Sequence, residues 1–172
     1  MLRNFLSKIY DAAGVLAAVC MIGTLVMVLI SIVGRLLRFN LPGTDAYAGY
    51  FTAAAGFLAL AYTLRRGEHI RVTLVLQRLP AKAQKWLQIA VHVTGVFLTG
   101  AFAFFSLRLM LLSHEIGDIS TSSDSTPLWI PQLGMAVGAT ILALAVVHGL
   151  VDVITGRMPS DLPPGDEPAH IE

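Results

Sequence analysis

Charged residues are scarce in this sequence, and their scarcity indicates the class of protein. Only 13% of the 172 residues are Asp, Glu, Lys or Arg, whereas 55% are hydrophobic. A soluble domain has about 25% charged residues, so the composition is that of an integral membrane protein. The net charge of +1 provides no basic surface of the kind that binds nucleic acid.

Sequence motifs for catalysis and metal binding are also missing. The single cysteine, Cys20, excludes an internal disulfide and a cysteine-based metal cluster. The sequence contains no glycine-rich phosphate loop, no nucleophile elbow and no zinc-ligand spacing. We therefore expect a protein that is not an enzyme and binds no cofactor, in which Cys20 is a small buried hydrophobic residue.

Four long runs without Asp, Glu, Lys or Arg are present instead. They cover residues 12–34, 46–64, 86–107 and 128–151. At 1.5 Å per residue, a helix of this length roughly matches a hydrocarbon core of about 30 Å. A cleaved signal peptide is the alternative for the first run, but its apolar core would have only about 7–15 residues. The sequence predicts an all-α membrane protein with four transmembrane helices.

The connection between the second and third runs is the most basic part of the chain. It holds six of the twelve Lys and Arg residues, namely Arg65, Arg66, Arg71, Arg78, Lys82 and Lys85. Apolar residues recur within it at i, i+3, i+4 and i+7, at Val72, Val75, Leu76 and Leu79. This pattern predicts a short amphipathic interfacial helix over about residues 71–79, ended by Pro80. A solvated basic loop is the alternative.

The distribution of positive charge predicts the topology. With both termini in the cytoplasm, nine Lys and Arg residues are cytoplasmic and three, Arg35, Arg38 and Arg108, are outside. Short cytoplasmic loops are enriched in Lys and Arg, so we predict that both termini are cytoplasmic. We further predict a membrane domain over residues 1–158 and a disordered cytoplasmic tail over residues 159–172, which contains four prolines and four acids.

Two histidines, His92 and His148, are the ionisable residues that fall inside the apolar runs. Both are expected near the cytoplasmic side at similar depth, so they could hold a haem iron between two helices, as in a cytochrome b-type anchor subunit. The simpler interpretation is that each histidine bonds a polar group of a neighbouring helix.

Other residues at the ends of the runs have structural interpretations. Arg65 and Arg66 are expected to reach the lipid headgroups, and His69 to shape the turn that follows. Trp129 is expected to lie in the aromatic belt and Pro131 to mark the start of the fourth helix. The pair Gly134 and Gly138 forms a GxxxG pattern, a weak sign of close helix packing.

Three stretches of the chain resemble one protein family. They are GR at residues 34–35, RRGEHIRV at 65–72 with RLP at 78–80, and STPLWIPQLG at 125–134. In this order on a four-span frame they are similar to the small (DctQ-like) membrane subunit of tripartite ATP-independent periplasmic, or TRAP, transporters. The match is looser at the start of the second span, where Asp45 is followed by Ala46.

The resemblance implies a non-catalytic subunit in the inner membrane of a bacterium or archaeon. Its partners would be membrane lipid, a large permease subunit of about twelve spans and a periplasmic solute-binding protein. By the same resemblance, the large subunit would use a sodium gradient to import an organic acid. A small homo-oligomeric channel is a further alternative. The interface candidates are Arg35, Arg38, Arg65, Arg66, His69, Trp129, Pro131, Gly134 and Gly138.

Overall fold

The computed structural model describes residues 2–39, 41–65, 80–122 and 124–156, and this part of the chain is all helical, without a β-strand. Four helices are long and apolar enough to cross a membrane. They are α1 (Leu2–Leu36), α2 (Thr44–Arg65), α3 (Ala81–Glu115) and α4 (Trp129–Ile154). The predicted all-α, four-span fold is confirmed. The predicted interfacial helix over residues 71–79 and the tail over residues 159–172 lie outside the described residues.

Two of the helices are much longer than the apolar runs that predicted them. Helices α1 and α3 have 35 residues each, which is about 52 Å and exceeds a hydrocarbon core of about 30 Å. Asp11 and Arg108 bound apolar runs, but a charged side chain does not by itself end a helix, and Lys8 and Arg108 are of good helix-forming types. The helices therefore continue past them until Pro80 precedes α3 and the chain turns at Gly117, where φ is +65°.

The helices pack side by side in the order α1, α2, α4, α3. Each outer helix packs mainly on one neighbour, and α1 contacts α4 only weakly. Residue 54 of α2 lies against residue 134 of α4, and residue 57 against residue 138, so the two central helices are parallel. We call the end of the bundle with the α1–α2 and α3–α4 connectors the connector end, and the opposite end the terminal end.

Small residues fill the contact between α1 and α2. Ala13, Ala17 and Cys20 of α1 are buried against Ala55 and Leu58 of α2. Cys20 is a free, buried thiol, as its place in an apolar run predicted. Small side chains let the helix axes approach closely, and dispersion between the backbones then stabilises the pair in lipid, where leucine gains nothing from burial.

Large apolar side chains lie mainly on the outside. The exposed face of α1 consists of aliphatic residues, including Val15, Leu16, Val19, Ile22, Val26, Leu29 and Val33. The exposed face of α3 is richer in aromatic rings, including Trp86, Phe97, Phe104 and Phe105. A soluble bundle would bury such residues, so this distribution is that of a protein whose surroundings are apolar.

Candidate functional site

A polar cluster at the connector end joins the two helical hairpins. The Tyr50 hydroxyl of α2 lies 3.1 Å from Oδ2 of Asp124 and 3.0 Å from Oγ of Ser120, both in the α3–α4 connector. Ser120 donates to Oδ1 of Asp124 at 2.9 Å, and the Ser122 N–H donates to Ser120 Oγ at 3.2 Å. We call Tyr50, Ser120 and Asp124 the clasp, because the carboxylate receives hydrogen bonds from both hairpins.

Three further contacts hold the connectors together around the clasp. The hydroxyls of Tyr47 and Thr126 are 3.0 Å apart. A Cβ on Gly43, where φ is +86°, would lie 2.8 Å from Asp124 Cβ, so only glycine fits there. The pKa of Asp124 is lowered below its ordinary value, mainly by a hydrogen bond from Thr126. Partial burial opposes this shift, and the hydrogen bond from Ser120 adds to it. These contacts make the α3–α4 connector an ordered part of the bundle rather than a free loop.

The end of α1 places two of the interface candidates, Arg35 and Arg38, at the connector end. Arg35 donates to Oδ2 of Asp45 at 2.9 Å, and both side chains are 74% exposed. Ser31 donates to Oδ1 of the same carboxylate at 2.9 Å. Arg38 has a φ of +55° and follows the helix in the left-handed conformation that ends many helices. Glycine is favoured at such a position, so the backbone alone does not explain an arginine there.

Trp129 and Pro131 lie in the first turn of α4. The Trp129 ring meets His114 of α3 edge to face, with ring centroids 5.3 Å apart, so it joins the two helices as well as facing the surroundings. Pro131 lacks a backbone N–H, but the first helical turn has no acceptor for that group in any case. Both residues thus lie at the start of α4, and the place of Trp129 in the aromatic belt stays a prediction.

Gly134 and Gly138 lie inside the chain's own interface between α4 and α2. An added Cβ would be 2.6 Å from Ala54 Cβ at the first glycine and 2.6 Å from the Phe57 carbonyl carbon at the second. The GxxxG pattern thus marks a close helix crossing within this subunit. Helix α2 already occupies this surface of α4.

The described residues do not form the haem pocket that His92 and His148 suggested. Nδ1 of His92 donates to the Gln88 carbonyl at 2.8 Å, and its Nε2 would lie 3.2 Å from a Cβ on Gly149 of α4. A porphyrin has no room between that nitrogen and α4. The His148 ring instead faces Tyr10 of α1, with centroids 6.4 Å apart. The two imidazoles enter different helix interfaces, and the residues do not fit a haem between them.

The remaining candidates fall on or beyond the end of α2. Arg65 is its last residue, whereas Arg66 and His69 lie outside the described residues. Within the ranges that the structure describes, no group of three or more His, Cys, Asp and Glu side chains is arranged to bind a metal ion. Sequence reasoning missed the clasp, because Tyr50 and Asp124 lie 74 residues apart and no local pattern links them.

Comparisons with known proteins agree with the four-helix structure and with the motifs. Residues 24–156 match the family described as "Tripartite ATP-independent periplasmic transporters, DctQ component". A search of curated proteins and a search of solved structures found no match. The matched segment covers most of the chain and reaches from α1 to the end of α4. The chain is a multi-pass inner-membrane protein and belongs to the DctQ family of small TRAP transporter subunits.

Proposed function

We propose that the chain is a non-catalytic scaffold subunit, which holds a large permease subunit in position during cation-coupled uptake. The supporting observation is the family match over residues 24–156 on a row of helices with apolar outer faces. A row offers a neighbouring membrane protein more side surface than a closed bundle of the same helices. In this proposal, the substrate and cation sites lie in the large subunit, and the substrate is an organic acid.

The packing of the chain suits a part that stays fixed while another part moves. The contacts between α2 and α4 are backbone against backbone or small side chain, as at Gly134 and Gly138. One helix can slide along another when the side chains between them change rotamer, and contacts of this kind contain few side chains that can do so. The clasp adds a polar tie between the hairpins at the connector end.

We place the connector end in the periplasm and both termini in the cytoplasm, since the connectors carry few of the positive residues. The clasp, Arg35 and Arg38 would then face the periplasmic solute-binding protein. An ordered connector loses less conformational entropy when a partner binds than a free loop would.

This orientation is tested by labelling a single cysteine introduced at position 122, which should react with an impermeant reagent added outside intact cells. If position 122 is labelled only after the cells are permeabilised, the connector end is cytoplasmic and the proposed topology is wrong.

Deletion of this subunit tests its role in transport. We expect uptake to be lost while the periplasmic binding protein still binds substrate, because the deletion removes neither the substrate site of that protein nor its folding. The control is re-expression of the full chain, which should restore uptake. Full-rate uptake by the large subunit without this chain would refute the proposal. Transport by the isolated chain in liposomes would favour a homo-oligomeric channel, and a Soret absorbance band would favour the haem-binding alternative.

A further inference from the structure

Arg108 lies on an apolar, outward-facing side of α3. Its neighbours one turn before it are Phe104 and Phe105, and one turn after it are Leu111 and Leu112. All four are exposed, Phe104 at 61% and Phe105 at 62%. The arginine is itself exposed, so a permanent positive charge stands in the middle of a surface that otherwise suits lipid tails.

This charge has no partner within the described chain. No ion pair or hydrogen bond joins the Arg108 side chain to any residue that the structure describes, whereas Arg35 is paired with Asp45. An arginine in apolar surroundings needs an acceptor, since its five N–H donors otherwise lose their hydrogen bonds to water. Lipid or another protein can supply such an acceptor to this exposed side chain.

The position of Arg108 along α3 places it below the polar connector layer. Helix α3 ends at Glu115, seven residues farther on, or about 10 Å along the axis. The connector layer itself lies at the level of His114, which meets Trp129 at the start of α4. The Arg108 backbone is thus about two helical turns below the level of Trp129, so we assign Arg108 to the membrane-facing part of α3 and not to the outer loop in which the charge count included it.

The direction of the side chain favours a protein partner over a lipid phosphate. In an α-helix, each Cα–Cβ bond tilts toward the helix N-terminus. For Arg108 this direction is the terminal end, away from the nearer headgroup layer at the connector end. To reach a phosphate, the side chain would have to bend back along the helix past Leu111 or Leu112. A carboxylate on a neighbouring transmembrane helix could meet the guanidinium at its own depth.

We infer that the face of α3 around Arg108 docks the large permease subunit, through a carboxylate on one of that subunit's transmembrane helices. This inference rests on the proposed function and specifies which face makes the contact. The aromatic pair Phe104 and Phe105, with ring centroids 5.5 Å apart, flanks the arginine. Phenylalanine and arginine are both enriched at protein interfaces relative to the rest of a protein surface.

The first experiment is co-purification of the tagged chain with the large subunit after expression of the whole transporter. Arg108→Gln should reduce the amount of large subunit retained by about tenfold, and Arg108→Lys should restore much of it. The matched control is Lys85→Gln, which removes one exposed positive charge from the same helix at the terminal end and should retain the partner. Equal retention by Arg108→Gln and wild type would overturn the inference and leave the proposed function standing. Failure of the wild-type chain to retain the large subunit would contradict the proposed function itself.

The second experiment locates the contact directly by photo-crosslinking in membranes. A benzophenone amino acid replacing Phe105 should crosslink to the large subunit, and the same amino acid replacing Val19, on the exposed face of α1, should not. A crosslink from position 19 and none from position 105 would assign docking to α1 and overturn the inference.

Native mass spectrometry of the isolated chain tests the lipid alternative. If Arg108→Gln loses a bound phospholipid but keeps the large subunit, the arginine binds a lipid phosphate and the inference is wrong.

Discussion

An alanine at position 138 would place a methyl group against the backbone of α2. The Cβ would lie 2.6 Å from the carbonyl carbon and 2.8 Å from the carbonyl oxygen of Phe57, whereas ordinary contact begins at 3.4 Å. A backbone cannot rotate away as a side chain can, so the two helices must separate by about 0.8 Å, the difference between 3.4 and 2.6 Å. Overpacking of this kind costs about 1–3 kcal/mol, and dispersion lost along the crossing adds to it.

Two other glycines provide matched controls for the same substitution. Gly56→Ala adds a methyl group where nothing lies within 4 Å, so it should be neutral or stabilise α2 slightly through higher helix propensity. Gly149→Ala meets only the ring of His92, at 3.2 Å, and a ring can shift by a few tenths of an ångström. We therefore expect the loss of stability to be largest for Gly138→Ala, smaller for Gly149→Ala and absent for Gly56→Ala.

The assay is reversible unfolding of the purified chain in mixed micelles with increasing denaturing detergent, which gives the free energy of unfolding of each variant. Size-exclusion chromatography first checks that the variants are monodisperse. The reasoning is refuted if Gly138→Ala and Gly56→Ala have equal free energies of unfolding. That result would mean that α2 and α4 do not approach as closely as the glycines allow, and the scaffold role argued from this crossing would lose its support.

Two further predictions concern the connector end. The pKa of Asp124 is lowered below 3.8, so its stabilising effect should be present above that pH and disappear as the pH falls through the lowered value. Asp124→Asn should accordingly be less stable than wild type at pH 7, and thermal unfolding should show the difference shrinking below pH 3.8. The Arg35–Asp45 pair is 74% exposed on both sides, so Arg35→Gln should lower the free energy of unfolding by less than about 1 kcal/mol, and less still in high salt. A larger, salt-independent loss would contradict this.

The four spans could be predicted because a helix is the simplest structure that satisfies every backbone polar group in lipid. A run without charges, 12–34 for example, therefore implies a helix with little further information. Such runs give only minimum helix lengths, since Asp11 and Arg108 bound the apolar runs without ending α1 and α3. Helix ends depend on turn residues such as Gly117, and those ends were harder to place from the sequence.

The order of the helices and the clasp could not be predicted. Four successive spans imply that α2 and α4 run parallel, but a helix that is apolar on all sides does not indicate its neighbour, so the contact between these two helices could not be predicted. The GxxxG pattern suggested close packing, but not that Gly138 would meet Phe57. The clasp depends on a hydroxyl and a carboxylate, Tyr50 and Asp124, that lie 74 residues apart in the chain. Such pairs follow from the tertiary structure and not from local sequence.

The exposed and buried residues of this chain also bear on how it recognises another membrane protein. In water, a face such as Val15, Leu16 and Val19 would drive association through the hydrophobic effect, but in lipid that face gains nothing by leaving the acyl chains. Recognition must then come from close packing or from polar groups. The tightest small-residue surface, at Gly134 and Gly138, is used within the chain. On the helix faces that the structure describes, an unpaired charge amid exposed apolar residues is therefore the feature that can distinguish a protein neighbour from lipid.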